Sequence, residues 1–212
     1  MKQLFIVSTG RCGTKRLSEI LDKYSGENYE VRHQVKWSRV SNVLGNIMLL
    51  FGSVNFIKKL LINKIISNKD KNYITTDPLV SLVIPDEMIV SSDVAIIHVV
   101  RDHKSFGRSF YQFTRKKAFS FIAHNFIPCW QPKVYPFENL IKGEKIISKY
   151  EKVGVYKERL FEEKYSINPN YIKFRMKDVF EGEKVLQSIN LFFKDEINIP
   201  HFEFEKKSNQ SI

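Results

Sequence analysis

The chain has 212 residues, of which 34 are Lys or Arg and 23 are Asp or Glu, so its formal net charge is +11. Hydrophobic residues make up 43% of it, which is enough for a core and excludes a disordered chain. With only 9 glycines and 7 prolines it is neither collagen-like nor mucin-like. Two cysteines cannot form a disulfide scaffold, so we expect a reduced, cytoplasmic protein. No linker divides the chain, and we expect one domain over 1–212.

The N-terminal residues have the pattern of a strand, a glycine loop and a helix. Leu4 to Val7 is a short, wholly apolar run of strand-forming residues, typical of a buried parallel strand. The residues from Ser8 to Thr14 favour a turn. Apolar residues at helical spacing follow from Leu17 to Tyr24, and Gly26 is a suitable helix end.

A second strand is predicted from Tyr29 to Arg32, leading into His33. From Ser38 to about Ile66 the apolar spacing is helical, with a break at Gly52-Ser53. The part 43–66 is interrupted by glycines, asparagines and lysines, so it is not a membrane-spanning segment. We favour an amphipathic helix pair that covers the core or a pocket, and the alternative is a segment that lies on a membrane surface.

A predicted strand followed by a predicted helix then occurs twice more. Tyr73 to Thr75 predicts a short strand that ends before Asp77-Pro78, followed by a short helix up to about Glu87. The apolar run from Val94 to Val100 is the second strong signal for a buried strand, and a helical stripe that includes Phe106 follows it.

The C-terminal third alternates in the same way, with five predicted segments: an irregular stretch from Cys129 to Gly143, a helix from Ile146 to about Tyr165, a strand from Tyr171 to Phe174, a helix from Val179 to Phe193, and a polar surface arm after Pro200. Alternating strands and helices predict an α/β fold. We expect three layers, with a central parallel sheet flanked by helices and a P-loop-like strand–loop–helix unit at the N-terminus.

The glycine loop is a candidate anion site. It runs from Gly10 to Arg16 and contains three cations, and backbone N–H groups at a helix N-terminus attract negative charge. It is not the nucleoside-triphosphate loop, because only two residues separate Gly10 from Gly13. Neither the Cys-x5-Arg loop of phosphatases nor the dinucleotide pattern G-x-G-x-x-G fits.

The loop resembles the 5′-phosphosulfate loop of sulfotransferases that use 3′-phosphoadenosine 5′-phosphosulfate (PAPS). Arg11 matches the basic position of that loop, and Gly13 and Thr14 match directly. Cys12 stands where serine is usual, and Lys15 stands where Thr or Ser is frequent.

The second strand–turn–helix unit is similar to the 3′-phosphate site of the same family. That site has an Arg after a hydrophobic strand and a Ser eight positions later, which Arg101 and Ser109 match, while His103 replaces a common proline. An Arg fork and a Ser hydroxyl together are suited to bind one phosphate. The stretch from Tyr171 to Phe180 is similar to a third family segment, so the resemblance covers roughly residues 3 to 193.

The resemblance implies an enzyme that moves a sulfuryl group from PAPS to a hydroxyl or amine of a small-molecule or carbohydrate acceptor, including a glycolipid. No metal is required, and the chain has no nucleic-acid-binding motif. The residues implied to hold the cofactor are Gly10, Arg11, Cys12, Gly13, Thr14, Lys15, Arg101 and Ser109. Arg11 would also stabilise charge on the leaving 5′-phosphate, which makes it catalytic.

Family members use a His or a Glu as the base that removes the proton from the hydroxyl or amine to which the sulfuryl group is transferred. His33 is our first candidate because it follows a predicted strand and titrates near neutrality, Asp77 is the second, and Glu30 is the third. His124 is a candidate lining residue of the acceptor pocket or a packing residue. The aromatic side chains of Trp37, Trp130 and Phe126 are candidate stacking surfaces or core residues.

Three alternatives follow from the same residues. Cys12 lies beside cations at a helix start, which favours a lowered thiol pKa, although sulfuryl transfer needs no covalent step. A non-catalytic nucleotide- or polyanion-binding protein of the same fold would bind without a base. A small-molecule kinase would need the lysine of the triphosphate loop, which the sequence lacks.

Overall fold

The structure, a computed structural model, describes residues 1–66, 70–127, 130, 143–194 and 197–200. Within these residues the strands are β1 (Gln3–Ser8), β2 (Tyr29–Arg32), β3 (Asn72–Thr75), β4 (Val94–Val100) and β5 (Tyr171–Arg175). The helices are α1 (Thr14–Tyr24), α2 (Ser38–Phe51), α3 (Asn55–Ile65), α4 (Asp86–Ile89), α5 (His103–Arg115), α6 (Ala118–Phe126), α7 (Gly143–Tyr165), α8 (Met176–Glu181) and α9 (Glu183–Phe193). No described helix is long and apolar enough to cross a bilayer.

The strands form one sheet in the order β2-β3-β1-β4-β5, and every neighbouring pair is parallel. This confirms the predicted α/β fold with a central parallel sheet. The glycine loop follows β1, which is the middle strand. The carboxyl ends of parallel strands meet at one edge of the sheet, so the segments that follow all five strands lie near that loop.

Helices cover both faces of the sheet. Leu4 and Ile6 of β1 face a core shared with α1 and α9, while Phe5 and Val7 face a core shared with α3 and α7. The alternation follows from the pleat of a strand, whose successive side chains point to opposite faces. Because β1 is apolar at all four positions, it is buried on both faces, and the three predicted layers are present.

The boundaries of two predicted helices are wrong. The single helix expected from Val179 to Phe193 is two helices, because Gly182 between α8 and α9 has φ 78°, a left-handed conformation that interrupts a helix. The helix expected to end near Glu87 instead begins after Pro85, since buried Val83 and Ile84 precede α4 in non-helical conformation. The predicted irregular stretch from Cys129 to Gly143, except for residues 130 and 143, and the predicted surface arm after Pro200 lie outside the described residues.

Candidate active site

The loop between β1 and α1 turns through three left-handed residues, Gly10 (φ 95°), Arg11 (φ 58°) and Gly13 (φ 74°). Such a sequence of conformations points successive N–H groups into one concavity, which suits an anion. A Cβ at Gly10 would meet no atom within 4 Å, so there is open space beside the loop. Gly13 is the residue before the first turn of α1, whose own N–H groups face the same place.

Cys12 points away from this space. Its side chain is 0% exposed, and its Sγ donates to the backbone oxygen of Gly10 at 3.2 Å and lies 3.6 Å from the Thr9 hydroxyl. Burial raises the pKa of the Cys12 thiol, so the lowered pKa expected from the neighbouring cations is wrong. A neutral, buried thiol supports the packing of the loop and is not a nucleophile.

The second strand–turn–helix unit is held in place without the usual proline. Asp102 precedes α5, and its Oδ1 accepts a hydrogen bond of 2.8 Å from the backbone N–H of Ser105, which caps the helix. His103 is the first residue of α5, and its Nε2 lies 2.6 Å from Oε2 of Glu158 on α7. These two contacts hold the turn between β4 and α5 in place of the proline that family members have there.

The two units meet because β1 and β4 are neighbouring strands. Arg101 Nη1 donates to the backbone oxygen of Arg11 at 2.9 Å, and Arg11 Nε donates to Ser109 Oγ at 3.4 Å. The Arg11 guanidinium also lies 5.1 Å from the ring centroid of Phe113, one helical turn beyond Ser109. The structure therefore brings together Arg11, Arg101 and Ser109, which are up to 98 residues apart in the sequence.

The charge at this point is positive. Among the described residues, neither Arg11 nor Arg101 has a carboxylate within ion-pair distance. Burial, and then the neighbouring charge of Arg101, lowers the pKa of Arg11. Two neighbouring guanidinium groups that face no acid among the described residues favour an anionic ligand, and phosphate oxygens fit their donor geometry.

The other two predicted loop residues differ in exposure. Thr14 begins α1 and is 5% exposed. The side chain of Lys15 is 78% exposed, and its Nζ lies 3.9 Å from Oε1 of Glu19. Such an ion pair is weak, so Lys15 is free to turn toward a ligand.

The predicted bases His33 and Asp77 lie together on the opposite side of β1 from Arg101, at the ends of β2 and β3. His33 Nδ1 is 2.9 Å from Oγ1 and 3.2 Å from the backbone oxygen of Thr76, the residue before Asp77. When Nδ1 donates to that carbonyl, Nε2 carries the lone pair that can accept a proton. Strand spacing puts β3 and β2 roughly 5 and 10 Å from β1 across the sheet.

Asp77 is 2% exposed, and its Oδ1 accepts from the backbone N–H of Leu79 at 2.9 Å. Burial raises its pKa, while the nearby Ser38 hydroxyl and the charge of His33 act in the opposite direction. The Ser38 hydroxyl and Asp77 Oδ2 do not complete a hydrogen bond of good geometry. The third candidate, Glu30, forms an ion pair of 2.8 Å with Arg32, so its carboxylate is already bound.

The aromatic residues predicted near an acceptor lie on or beside α6, except for Trp37 before α2. The His124 ring packs edge-to-face against Phe110 and Trp130, at centroid distances of 5.0 and 6.1 Å, and burial lowers its pKa to about 4. Phe126 and Trp37 are 49% and 38% exposed. The described residues contain no group of three His, Cys, Asp or Glu side chains that could hold a metal ion.

Lys157 is a candidate site residue that the sequence analysis missed. It continues the buried stripe of α7 formed by Tyr150, Val153 and Phe161, each at most 2% exposed, and it is itself only partly exposed. Phe161 packs on His98, which is level with Val7 of β1. Since α7 ends near the start of β5, Lys157 lies one turn nearer than Phe161 to the carboxyl edge of the sheet.

The electrostatic neighbours of Lys157 agree with this position. Burial lowers its pKa to about 8, and the nearby Cys12 thiol acts in the opposite direction. Lys157 in turn lowers the pKa of His124. Its ammonium group is therefore within electrostatic range of both Cys12 in the glycine loop and His124 on α6. The signal in the sequence was a lysine at an apolar position of a helical stripe. Phe113, four residues after Ser109, is a second residue near Arg11 that the sequence analysis does not name.

Comparisons with known proteins agree with the fold and with the resemblance found in the sequence. The family model described as "Sulfotransferase domain" matches residues 1–180. No curated protein matches the sequence. The crystal structure of a sulfotransferase from Alicyclobacillus acidocaldarius is similar with a TM-score of 0.53 and 12% sequence identity, covering 94% of this chain and 84% of that one. At that identity the likeness supports the fold alone, but the family match extends over most of the chain.

The match from the first residue to α8 includes the glycine loop, Arg101 and Ser109, which are the residues on which the sequence resemblance depends. The chain therefore belongs to the sulfotransferase family.

Proposed function

We propose that this protein transfers a sulfuryl group from PAPS to a hydroxyl or amine of a small-molecule, carbohydrate or glycolipid acceptor. The observation that carries the proposal is the convergence of Arg11, Arg101 and Ser109 at the carboxyl edge of the sheet, with no carboxylate among their described partners. A nucleotide with phosphates at both its 3′ and 5′ positions has two anionic groups for such a pair of neighbouring sites.

The two strand–turn–helix units would bind different phosphates of the nucleotide. The N–H groups of the glycine loop and Arg11 would hold the 5′-phosphate, and Arg101 with Ser109 would hold the 3′-phosphate. PAPS supplies a sulfuryl group already activated for displacement when it is bound. The work of the protein is then to position the reactants and to stabilise the charge that develops on the 5′-phosphate, as in phosphoryl transfer.

Lys157 is suited to a third positive contact. It lies on α7 within electrostatic range of Cys12 in the loop, while Lys15 lies at the exposed start of α1. A cation with a pKa of about 8 is mostly charged at neutral pH, and a bound phosphate raises its affinity for the proton further. We infer that Lys157 contacts the phosphosulfate group.

We assign the role of general base, which removes the proton of the sulfuryl acceptor, to His33. Thr76 orients the imidazole through Nδ1, which leaves Nε2 to accept the proton. Asp77 is the second candidate, because its raised pKa makes it a better proton acceptor than an ordinary carboxylate.

The test of nucleotide binding compares 3′-phosphoadenosine 5′-phosphate with adenosine 5′-phosphate. The first should raise the melting temperature by an amount set by the ratio of its concentration to its dissociation constant, and the second much less. Arg101→Ala should weaken binding of the bisphosphate by roughly 1.5–3 kcal/mol, the value of a hydrogen bond to a charged group. Arg108→Ala, an exposed arginine on the same helix, is the control. Equal shifts from both nucleotides would contradict the assignment of Arg101 and Ser109.

The test of catalysis incubates the protein with PAPS and a panel of acceptors and identifies sulfated products by mass. Product with any acceptor supports the transferase. Tight binding of the bisphosphate without product from any acceptor would favour the non-catalytic binding protein, and phosphorylated product with ATP would favour a kinase.

A further inference from the structure

Helix α2 buries polar residues and exposes apolar ones, which is the reverse of an ordinary surface helix. Its buried small and polar residues recur every three or four positions, so they share one face of the helix. On the opposite face, Val40 is 41% exposed and Phe51 is 84% exposed. The core therefore does not explain why this face points inward. We call it the polar face of α2, and it consists of Ser38, Ser41, Asn42, Gly45 and Asn46.

Most polar atoms of this face have no hydrogen-bond partner. Ser41 is 0% exposed and Asn46 is 1% exposed. Neither the Ser41 hydroxyl nor the two polar atoms of the Asn46 amide, nor the hydroxyl of buried Ser38, has a hydrogen-bond partner among the described residues. Such atoms are rare in native proteins, because each gives up its hydrogen bonds to water. Several of them on one face indicate a site whose ligand supplies the partners.

The segment after β3 runs along α2 and has unpaired atoms of its own. Asp77 lies beside Ser38, and a Cβ at Gly45 would lie 2.6 Å from the Cβ of Leu82. Ser81 lies between these two levels. Among the described residues, Ser81 Oγ and Asp77 Oδ2 have no hydrogen-bond partner, and both residues are buried. The two rows of unpaired atoms therefore begin at a candidate base and lead away from it into the protein.

Both tryptophans of the chain adjoin this place. Trp37 directly precedes α2 and is partly exposed. Asn42 Nδ2 donates to the backbone oxygen of Trp130 at 3.1 Å, so the second tryptophan lies against the same helix. Aromatic rings offer apolar contact area, while the polar face of α2 offers hydrogen-bonding atoms. A ligand that has both a C–H surface and hydroxyl groups matches this combination.

We propose that a neutral carbohydrate binds between the polar face of α2 and the segment 77–82, and that one of its hydroxyls is the sulfuryl acceptor. The acceptor role rests on the function proposed above. Sugar hydroxyls both donate and accept hydrogen bonds, as the serine hydroxyls and the Asn46 amide require. A phenol or a fatty alcohol would leave the same atoms unpaired. The polar face of α2 has no charged residue, so it offers no partner to a charged acceptor.

Binding requires α2 to move away from the segment 77–82, because the two are packed together in this structure. The polar atoms gain no hydrogen bonds from this packing. Their contribution therefore favours the open arrangement, in which water or a sugar can pair with them. At Gly45 the contact has no side chain on the helix, so no large side chain of α2 has to be withdrawn there.

Tryptophan fluorescence tests sugar binding without PAPS. Because Trp37 and Trp130 are the only tryptophans, their emission reports on this site. Titration with maltose, cellobiose, lactose and chitobiose should give a saturable change with at least one of these disaccharides. Cyclohexanol, which has one hydroxyl on an apolar ring, should give none.

Ser41→Ala tests the polar face itself. It should weaken binding of the responding sugar about three- to tenfold, the value of one hydrogen bond between neutral groups. It should also raise the melting temperature by about 2–4 °C, because the buried hydroxyl has no bond to lose in the free protein. Ser188→Ala is the matched control, since Ser188 is an exposed helical serine whose Oγ donates to the backbone oxygen of Lys184 at 2.8 Å. It should bind the sugar like the parent and should not raise the melting temperature.

The outcomes separate this inference from the proposed function. No response to any of the disaccharides up to their solubility limits, or unchanged sugar binding by Ser41→Ala, would overturn it. A lower melting temperature of Ser41→Ala would show that the hydroxyl is bonded in the folded protein and would overturn it as well. Sulfation of cyclohexanol but of no sugar would overturn the inference and keep the transferase. Sugar binding without sulfated product from any acceptor would keep the sugar site and contradict the transferase.

Discussion

His33 is the residue on which the proposed chemistry depends most. Its ring is oriented by two oxygens of Thr76, so its position does not depend on a bound acceptor. We expect His33→Ala to lower turnover by roughly 10²–10⁴ when it acts as the base, while nucleotide binding stays nearly unchanged. Single-turnover rates together with thermal shifts with the bisphosphate measure both properties.

Asp77→Asn is the matched variant for this prediction. Turnover of His33→Ala within a few-fold of the parent, combined with loss of activity in Asp77→Asn, would move the role of base to the carboxylate. Because Asp77 is buried, its asparagine variant also needs a melting curve to show that the fold persists.

Lys157 gives a prediction about proton uptake. Its pKa is lowered to about 8, and a phosphate beside it favours the charged form. Near pH 8 to 9 the free protein therefore has this amine partly neutral, and binding of 3′-phosphoadenosine 5′-phosphate should take up a fraction of one proton. Calorimetry in two buffers of different ionisation enthalpy measures that number. Lys157→Met should abolish the uptake and weaken binding.

The control for this measurement is Lys152→Met, which removes an exposed lysine from the same helix. It should bind with the same proton uptake as the parent. Uptake that persists in Lys157→Met would show that another group titrates and that Lys157 does not contact the nucleotide.

At the scale of residues, the sequence predicted those site positions that form local patterns. Arg11 lies in a glycine loop after an apolar strand, and Arg101 and Ser109 keep a fixed spacing across one turn and helix. Lys157 belongs to no such pattern, because its approach to the loop depends on how α7 crosses the sheet. The thiol of Cys12 was misjudged for a related reason: its burial, which raises the pKa, outweighs the neighbouring cations.

At the scale of elements, the contact between α5 and α7 holds in place the helix that contains Ser109 and follows Arg101. A Cβ at Gly107 would lie 2.6 Å from Cγ of Glu151 and 2.9 Å from the backbone oxygen of Ile147. Gly154 is similarly close to Phe106. The backbone of α7 therefore comes close to α5 at Gly107, and the Phe106 ring of α5 packs on Gly154 of α7. The same contact between the helices places His103 Nε2 2.6 Å from Glu158 Oε2.

Gly107→Ala should force the two helices apart. We expect a loss of about 1–3 kcal/mol in the free energy of unfolding, as for other overpacked contacts, and weaker binding of the bisphosphate because Ser109 moves with α5. Urea denaturation measures the free energy of unfolding, and the thermal shift measures binding of the bisphosphate. Arg108→Ala changes the adjacent exposed position and should leave both unchanged. A fully stable Gly107→Ala would mean that the helices are farther apart than described.

The strands and most helices could be predicted because their apolar periodicity is long or uninterrupted. The break between α2 and α3 was placed correctly at Gly52-Ser53. The break between α8 and α9 was missed because the apolar spacing continues across Gly182, and only the backbone conformation of that glycine separates the helices. The start of α4 was misplaced because Val83 and Ile84 are buried by tertiary contacts, which periodicity over so few residues cannot show.

At the scale of the whole molecule, buried His98 makes stability depend on pH. Its side chain is 0% exposed, its Nδ1 lies 2.9 Å from the Tyr171 hydroxyl, and burial followed by the charge of Lys173 lowers its pKa from 6.5 to about 4. The unfolded chain binds a proton at His98 below pH 6.5 and the folded chain does not. Stability is therefore full above about pH 6.5 and falls as the pH approaches 4, by up to about 3 kcal/mol.

His98→Asn removes the titrating group and keeps a polar atom for Tyr171. Its free energy of unfolding, from urea titrations between pH 4 and 7, should depend on pH less steeply than that of the parent. Parallel curves for the two proteins would show that His98 is not responsible for the acid sensitivity.

The α/β fold was predictable for the whole molecule because two apolar runs, each followed by a turn and an amphipathic helix, imply parallel strands. The order of the strands was not, since nothing in a strand's own residues says which partner lies on each side. That order puts the base candidates on one side of β1 and Arg101 on the other.

The central position of β1 also affects how the protein is made. β1 is synthesised before the four other strands, yet its neighbours β3 and β4 end only at residues 75 and 100. At typical translation rates the ribosome needs roughly 5 to 20 s to add the residues between β1 and the end of β4. Until β4 has been synthesised, the apolar residues Leu4 to Val7 lack at least one of their two sheet partners. The central strand of the sheet therefore completes its pairing only after almost half of the chain has been synthesised.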